Sequence, residues 1–163
     1  MNDLIRPLRP DEAELYRDIR LEALRLHPEA FGADFESEAN DLTFFRQRLT
    51  SNVVFGGFRG NAVLGVVGFM PQGGAKRAHK GTLWGMYVRA EARGSGLSRL
   101  LAEAVLAHGQ DYVELIQLSV AAENVPARRL YAALGFEPYG VEARALKVDG
   151  RYVDEVLMVK MLR

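Results

Sequence analysis

The 163-residue chain contains no cysteine. That one absence excludes disulfides, thiolate nucleophiles and cysteine metal sites together. Histidine is nearly as scarce, and His27, His79 and His108 are scattered rather than set at ligand spacing, so no metal is expected. An excess of either charge is also missing, since Lys+Arg and Asp+Glu both number 21. A general nucleic-acid binder needs a basic excess, so no nucleic-acid partner is expected, although a local basic pocket stays open. No apolar run reaches the length of a bilayer span, and no membrane partner is expected. The segment Met1 to Pro10 carries charge early and has no apolar core, unlike a signal peptide, so the expected setting is cytoplasmic.

What is present is ordinary for a globular protein: 48% hydrophobic and 26% charged residues. The length suits one domain over residues 1–163 with a sizeable core. Leu4 to Leu8 reads as a strand, and Asp11 as the cap of a helix through about Leu26 that carries Leu15, Ile19 and Leu24 on one face. The stretch "EAFGADFESEAN" (Glu29 to Asn40) has no clean period and reads as a loop, after which Asp41 caps a helix to about Leu49. Val53 to Arg59 and Ala62 to Met70 flank Gly60-Asn61, a hairpin signal, and Pro71 to Gly81 is a loop with a basic cluster. Leu83 to Val88 continues the strands. A regular helix follows, with Leu97, Leu100, Leu101, Ala104, Val105 and His108 on one stripe. Leu115 to Ala121 is a buried strand, Val125 to Leu134 a short helix closed by Gly135. Strands at Ala143 to Val148 and Tyr152 to Met161 flank the turn Asp149-Gly150. The order β-α-α-β-β-β-α-β-α-β-β describes a mixed α/β layer arrangement.

One stretch asks for a ligand. "VRAEARGSGLSRLL" (Val88 to Leu101) sets Arg-Gly-Ser-Gly between a strand and a helix N-terminus, where glycines admit close approach and the helix end attracts an anion. A dinucleotide turn fails, because Arg99 stands where its third glycine belongs, and no window fits a Walker A loop. A plain capping loop is the bland alternative.

Two spaced blocks change that balance. "YVRAEARGSGLSRLLAEAV" and "LSVAAENVPARRLYAALGF" (Leu118 to Phe136) resemble the Gcn5-related N-acetyltransferase (GNAT) superfamily. Arg93, Gly94, Ser95, Gly96, Leu97 and Ser98 fill that family's R/Q-x-x-G-x-G/A loop after a strand ending in Val88. Ser98 stands for the usual Gly or Ala, and Ala90 for a common Pro. Asn124, Ala127, Leu130, Tyr131 and Leu134-Gly135-Phe136 supply the second block. The resemblance is specific over Leu83 to Phe136.

It implies an α/β (α+β) fold: a mixed, mostly antiparallel sheet of about seven strands with flanking helices, splayed between the fourth and fifth strands. It implies acetyl-CoA as acyl donor, with Arg93, Gly94, Ser95, Gly96, Leu97, Ser98 and Arg99 around the pyrophosphate. Met86, Tyr87 and Val88 would line the thioester, Asn124 would cap the following helix or bond the pantetheine arm, or both, and Ala127 would belong to the donor site. Tyr131 would be the acid that protonates the leaving sulfur. The implied activity is transfer of an acetyl group to a primary amine by direct attack, on a small-molecule or peptide acceptor, and a homodimer is common in the family. Many relatives carry a glutamate on the fourth strand, whereas this strand has no carboxylate. Glu36, Glu38, Glu123, Glu155 and His79 are candidate bases, a water chain ending in backbone carbonyls is an equal alternative, and none is assigned. Aromatics beside acids at Phe31, Phe35, Glu36 and Glu38 would suit a cationic amine. A catalytically silent acyl-CoA sensor is the alternative class, favoured by the missing carboxylate and disfavoured by Tyr131 and Asn124.

Overall fold

Apolar strands, continuously buried in β2 and β3 at the centre and mostly exposed at the far edge, build one seven-stranded sheet in the computed structural model, which describes residues 2–39 and 41–163. Strands β1 (Leu4–Pro7), β2 (Val53–Arg59), β3 (Ala62–Pro71) and β4 (Lys80–Val88) pair antiparallel in sequence order. β4 and β5 (Leu115–Ala121) are parallel, and β5 continues into β7 (Arg151–Met161) and the edge strand β6 (Glu137–Val148), both pairings antiparallel. The expected mixed, mostly antiparallel sheet is therefore the observed one.

Helices cover both faces. α1 (Ala13–Leu26) and α3 (Leu42–Ser51) bury Tyr16, Ile19, Ala23, Phe45 and Leu49 against Val54, Val66 and Tyr87. On the other face α4 (Leu97–Gly109) sets Leu97, Leu101, Ala102 and Val105 on Val67, Leu83 and Ile116, while α5 (Val125–Ala133) adds Tyr131. No helix among the described residues is long and apolar enough to cross a membrane.

Three local expectations are corrected. Asp11 does not cap α1: Pro10 opens a single 3₁₀ turn, Pro10–Glu12, and α1 begins at Ala13. Leu100 is exposed, because five positions before Val105 it falls well round the helix from the buried stripe, and Ala102 takes its place. The expected loop after α1 contains a 3₁₀ turn, Pro28–Ala30, and the one-turn helix α2 (Phe35–Glu38), whose cap Asp34 accepts from the Ser37 N–H at 2.8 Å. Asn40, the end of that expected loop, lies outside the described residues.

The turn before α1 carries an acid-sensitive clamp. Arg6 donates two 2.8 Å hydrogen bonds to the Glu12 carboxylate, and the Arg9 N–H adds a third at 2.9 Å. The Arg6 contact, outweighing the opposing effect of burial, holds the Glu12 carboxyl at about 2. A carboxyl depressed in the folded state stabilises fully above its unfolded value of ~4.3 and loses that contribution as pH falls toward the folded value. Glu12→Gln is expected to cost roughly 1 kcal/mol at pH 7 and progressively less below pH 4. Denaturant unfolding of both proteins at pH 7 and pH 3 measures it, and an equal difference at the two pH values would refute the assignment.

Candidate active site

The site begins where two strands stop pairing. β4 and β5 are in register at Lys80↔Leu115, Gly81↔Ile116 and Thr82↔Gln117, and no further. Beyond Thr82 and Gln117 the facing edges diverge, so backbone from Leu83 to Val88 and from Leu118 to Ala121 borders open space instead of a neighbour. A parallel pair joined through α4 can separate in this way because each strand is still held on its other edge, β4 by β3 and β5 by β7.

β4 is also locally distorted. Val66 faces Tyr87 and Gly68 faces Trp84, so β4 carries one extra residue opposite Val67. Gly85 sits in this bulge at φ +66°, a conformation that side chains disfavour. The cleft between the strands has a volume of about 1050 Å³. Leu83 to Val88 form one wall, and Ser119 to Ala121 with the start of α5 form the other. Its mouth is ringed by His27 to Phe31 and by Val148, Asp149 and Arg151 of the last hairpin.

At one end of the cleft lies the loop 93–98. Gly94 and Gly96 have φ +76° and +87°, and a Cβ on either would meet no protein atom within 4 Å. The left-handed backbone, and not a steric clash, therefore favours glycine there, and the space in front of the loop stays open. Gly96 is the N-cap of the thirteen-residue α4. Among the described residues nothing accepts from the N–H groups of Gly94, Gly96, Leu97 and Ser98. Four unpaired donors at a helix N-terminus fit a pyrophosphate.

The side chains of the loop divide. Arg93 donates from Nε to the Val88 carbonyl at 3.2 Å and from Nη2 to His27 Nε2 at 3.1 Å, which ties the loop to β4 and to the end of α1. Arg99 lines the cleft and pairs with Glu103 at 3.0 Å, both well exposed. Leu97 turns its side chain into the core and offers only its N–H. Ser95 faces away from the cleft, because its N–H and hydroxyl both turn back to the Ala92 carbonyl.

On β4, Met86 and Val88 pack toward the α4 face. Tyr87 points to the α1 face and donates to Glu22 Oε2 at 2.7 Å. Burial first, then Glu22, pushes that phenol up to about 12. Asn124 caps α5, its Oδ1 accepting from Ala127 N–H at 3.3 Å. Tyr131 is held by the end of α5: Phe136 N–H donates to its carbonyl at 3.0 Å and Gly135 N–H to Ala132 at 3.0 Å, with the Tyr131 and Phe136 rings edge to face at 5.7 Å. Burial alone raises the Tyr131 phenol well above its ordinary value, so it stays protonated, and it lines the cleft.

The five candidate bases scatter. Glu38 is buried and grips two arginines: Arg20 donates to it at 3.0 and 3.1 Å, and Arg48 at 3.0 and 3.4 Å. Burial would raise its carboxyl, but the two guanidiniums more than reverse this and lower it. It is a neutralised structural acid, not a receptor for a cationic amine. Glu36 lines a neighbouring 600 Å³ pocket, and neither His79 nor Glu155 is part of the cleft wall. Glu155 is raised by burial and by Glu142. Of the five, Glu123 alone lines the cleft. Sequence reasoning did not place His27, Trp84 or the closing hairpin in the cleft wall. A glycine inside a strand pattern, Gly85, was the one available signal for the bulge.

Comparisons with known proteins agree with this geometry. The acetyltransferase (GNAT) family matches residues 16–136. No curated protein matches the chain in sequence. Among solved structures, a GNAT-family acetyltransferase from Streptococcus pneumoniae is 21% identical with a TM-score of 0.87, over 98% of this chain and 99% of that one. A ribosomal-protein-alanine N-acetyltransferase from Brucella melitensis is 22% identical at 0.81, over 97% and 99%. A putative acetyltransferase from Salmonella typhimurium, solved with acetyl-CoA, is 20% identical at 0.83, over 100% and 95%. With the family match spanning most of its length, and a sheet that splays between β4 and β5, the chain belongs to the acetyltransferase (GNAT) family.

Proposed function

We propose that residues 1–163 work as one catalytic unit, an acetyl-CoA-dependent N-acetyltransferase that binds donor and acceptor together and moves the acetyl group to a primary amine. The observation that carries this reading is the row of unpaired loop N–H groups opening onto a cleft between splayed strands, with Tyr131 in its wall. Acetyl-CoA, the acyl-donor substrate, supplies an activated thioester. The N–H groups of Gly94, Gly96, Leu97 and Ser98 hold the pyrophosphate, with Arg93 and Arg99 adding positive charge. The free edge of Leu83 to Val88 takes the pantetheine arm as an added strand, and Asn124 and Ala127 flank it from α5. A β4 N–H in the Met86–Val88 stretch polarises the acyl carbonyl.

The acceptor amine must be neutral to attack, and a lysine-type amine with pKa ~10.4 must first lose a proton. Tyr131 holds a hydrogen at the leaving sulfur. The name of the Brucella melitensis relative denotes a ribosomal-protein alanine as its acceptor. For this chain we propose an amine acceptor, small molecule or peptide.

Release of free thiol from acetyl-CoA over a panel of amines tests the reading. The chain has no cysteine, so a thiol-reactive dye reports liberated coenzyme A alone. Acceptor-dependent release is the expected result. Binding of coenzyme A with no release from any acceptor would make the protein an acyl-CoA sensor instead.

A further inference from the structure

Several arginines of this chain are oriented by acids: Arg6 by Glu12, Arg20 by Glu38 and Arg59 by Asp3. Arg93, at the head of the glycine loop, is held differently. It donates from Nε to the Val88 carbonyl at 3.2 Å and from Nη2 to His27 Nε2 at 3.1 Å, and among the described residues no carboxylate pairs with it. A guanidinium carries donors only, so the imidazole meets it with a bare nitrogen and both partners are uncharged acceptors. Arg93 is thus fixed in direction and keeps its full positive charge, and its Nη1 has no acceptor among the described residues.

The backbone holds His27 in place from both sides. Its N–H ends α1 by donating to the Ala23 carbonyl at 2.9 Å, and its own carbonyl accepts from the Ala30 N–H at 3.0 Å, which closes the turn Pro28–Ala30. Its ring lies tilted against that of Tyr87, with 5.7 Å between centroids. The imidazole hydrogen then sits on Nδ1, toward Glu29 Oε1 at 3.7 Å, and a carboxylate there favours that tautomer. His27, Glu29, Tyr87 and Arg93 all line the cleft, as do Gly94 and Gly96. An acid at position 27 would orient Arg93 equally well but cancel its charge. A side chain with no acceptor would leave the charge but let the guanidinium swing. Imidazole avoids both faults.

We infer that His27 is a positioning residue for the acyl donor: it aims the Arg93 guanidinium at the pyrophosphate end of the cleft without neutralising it. The inference rests on the donor site proposed above and adds to it a residue 66 positions before Arg93. The same bond ties the mouth segment from His27 to Phe31 to the glycine loop.

Calorimetric titration of the whole protein with coenzyme A, beside thermal unfolding, tests it. His27→Ala is expected to raise the dissociation constant ~10-fold, the scale of one hydrogen bond to a charged group. His27→Gln, whose Oε1 takes the place of Nε2, restores most of that affinity. His27→Glu melts no lower than the wild type yet binds coenzyme A more weakly than His27→Ala, because the acid neutralises Arg93. In an Arg93→Ala background, His27→Ala changes affinity no further. A purely structural His27 predicts the opposite: the glutamate variant binds best of the three, and the alanine effect persists without Arg93. That pattern, or wild-type affinity in His27→Ala, overturns the inference and leaves the donor site standing. If His27→Glu or Arg93→Ala fails to fold, loss in the alanine variant with rescue by glutamine still decides. No binding of coenzyme A by the wild-type protein overturns the donor site itself.

Discussion

Gly96→Glu is expected to lose coenzyme A binding while keeping its fold. Two effects act together at this residue. Gly96 stands at φ +87°, and a residue with a Cβ pays ~1–2 kcal/mol to hold the left-handed conformation, which distorts the cap of α4. The larger effect is electrostatic. The new carboxylate would lie beside the unpaired N–H groups of Gly94, Leu97 and Ser98, where it competes for those donors and repels a pyrophosphate, and like charges placed together cost several kcal/mol. The dissociation constant should rise by roughly 100-fold or more, on the scale of ~1.4 kcal/mol per decade. Calorimetric titration with coenzyme A measures this, with circular dichroism to establish folding. A folded variant of undiminished affinity would mean that the loop does not hold the pyrophosphate.

Tyr131→Phe should leave acetyl-CoA affinity within a few-fold and lower kcat by ~10²–10⁴, the usual scale of a positioned proton donor. The substitution is a clean probe of the hydroxyl. The ring keeps its edge contact with Phe136, and the backbone bonds that end α5 do not involve the side chain. Burial raises the phenol, which fixes the sign of the pH effect: the hydroxyl is protonated throughout the neutral range, so kcat should show no falling limb from Tyr131 below about pH 10. A thiolate near pKa ~8.5 is a weaker base than such a phenolate, so the hydroxyl stabilises the departing sulfur as a hydrogen-bond donor and keeps its own proton. Single-turnover rates for both proteins from pH 6 to 10 provide the check. An unchanged rate in the variant would remove Tyr131 from the chemistry.

Much of the donor half of the site is readable from local sequence, because its geometry is local. Gly94-Ser95-Gly96 followed by a helical stripe specifies a turn and a helix N-terminus within a few residues, and Leu134-Gly135-Phe136 specifies a helix end that fixes Tyr131. Asp34 escaped notice as a cap because the helix it starts is a single turn, too short to show a period. Leu100 was misplaced because a stripe drawn from apolar identity alone runs wider than the arc the sheet can cover.

The acceptor half behaves differently. Glu38 reads in sequence as a solvated or cation-binding acid, yet in the fold it meets Arg20, 18 positions before it, and Arg48, 10 after it. Tyr87 belongs to the motif strand, but the pleat sends its phenol to Glu22, on the opposite face from Met86. The turn that follows α1 (His27 to Phe31) and the last hairpin line the same cleft although more than a hundred residues separate them. The sequence by itself thus determined the element order, the glycine turn at the start of α4 and the placement of Tyr131, since each depends on backbone preferences and spacing over fewer than a dozen residues. Only the tertiary structure decided where the strands part, which acids are neutralised and which distant segments line the cleft. Those outcomes depend on side chains brought together from distant segments, and a buried charge is defined by its neighbours in space.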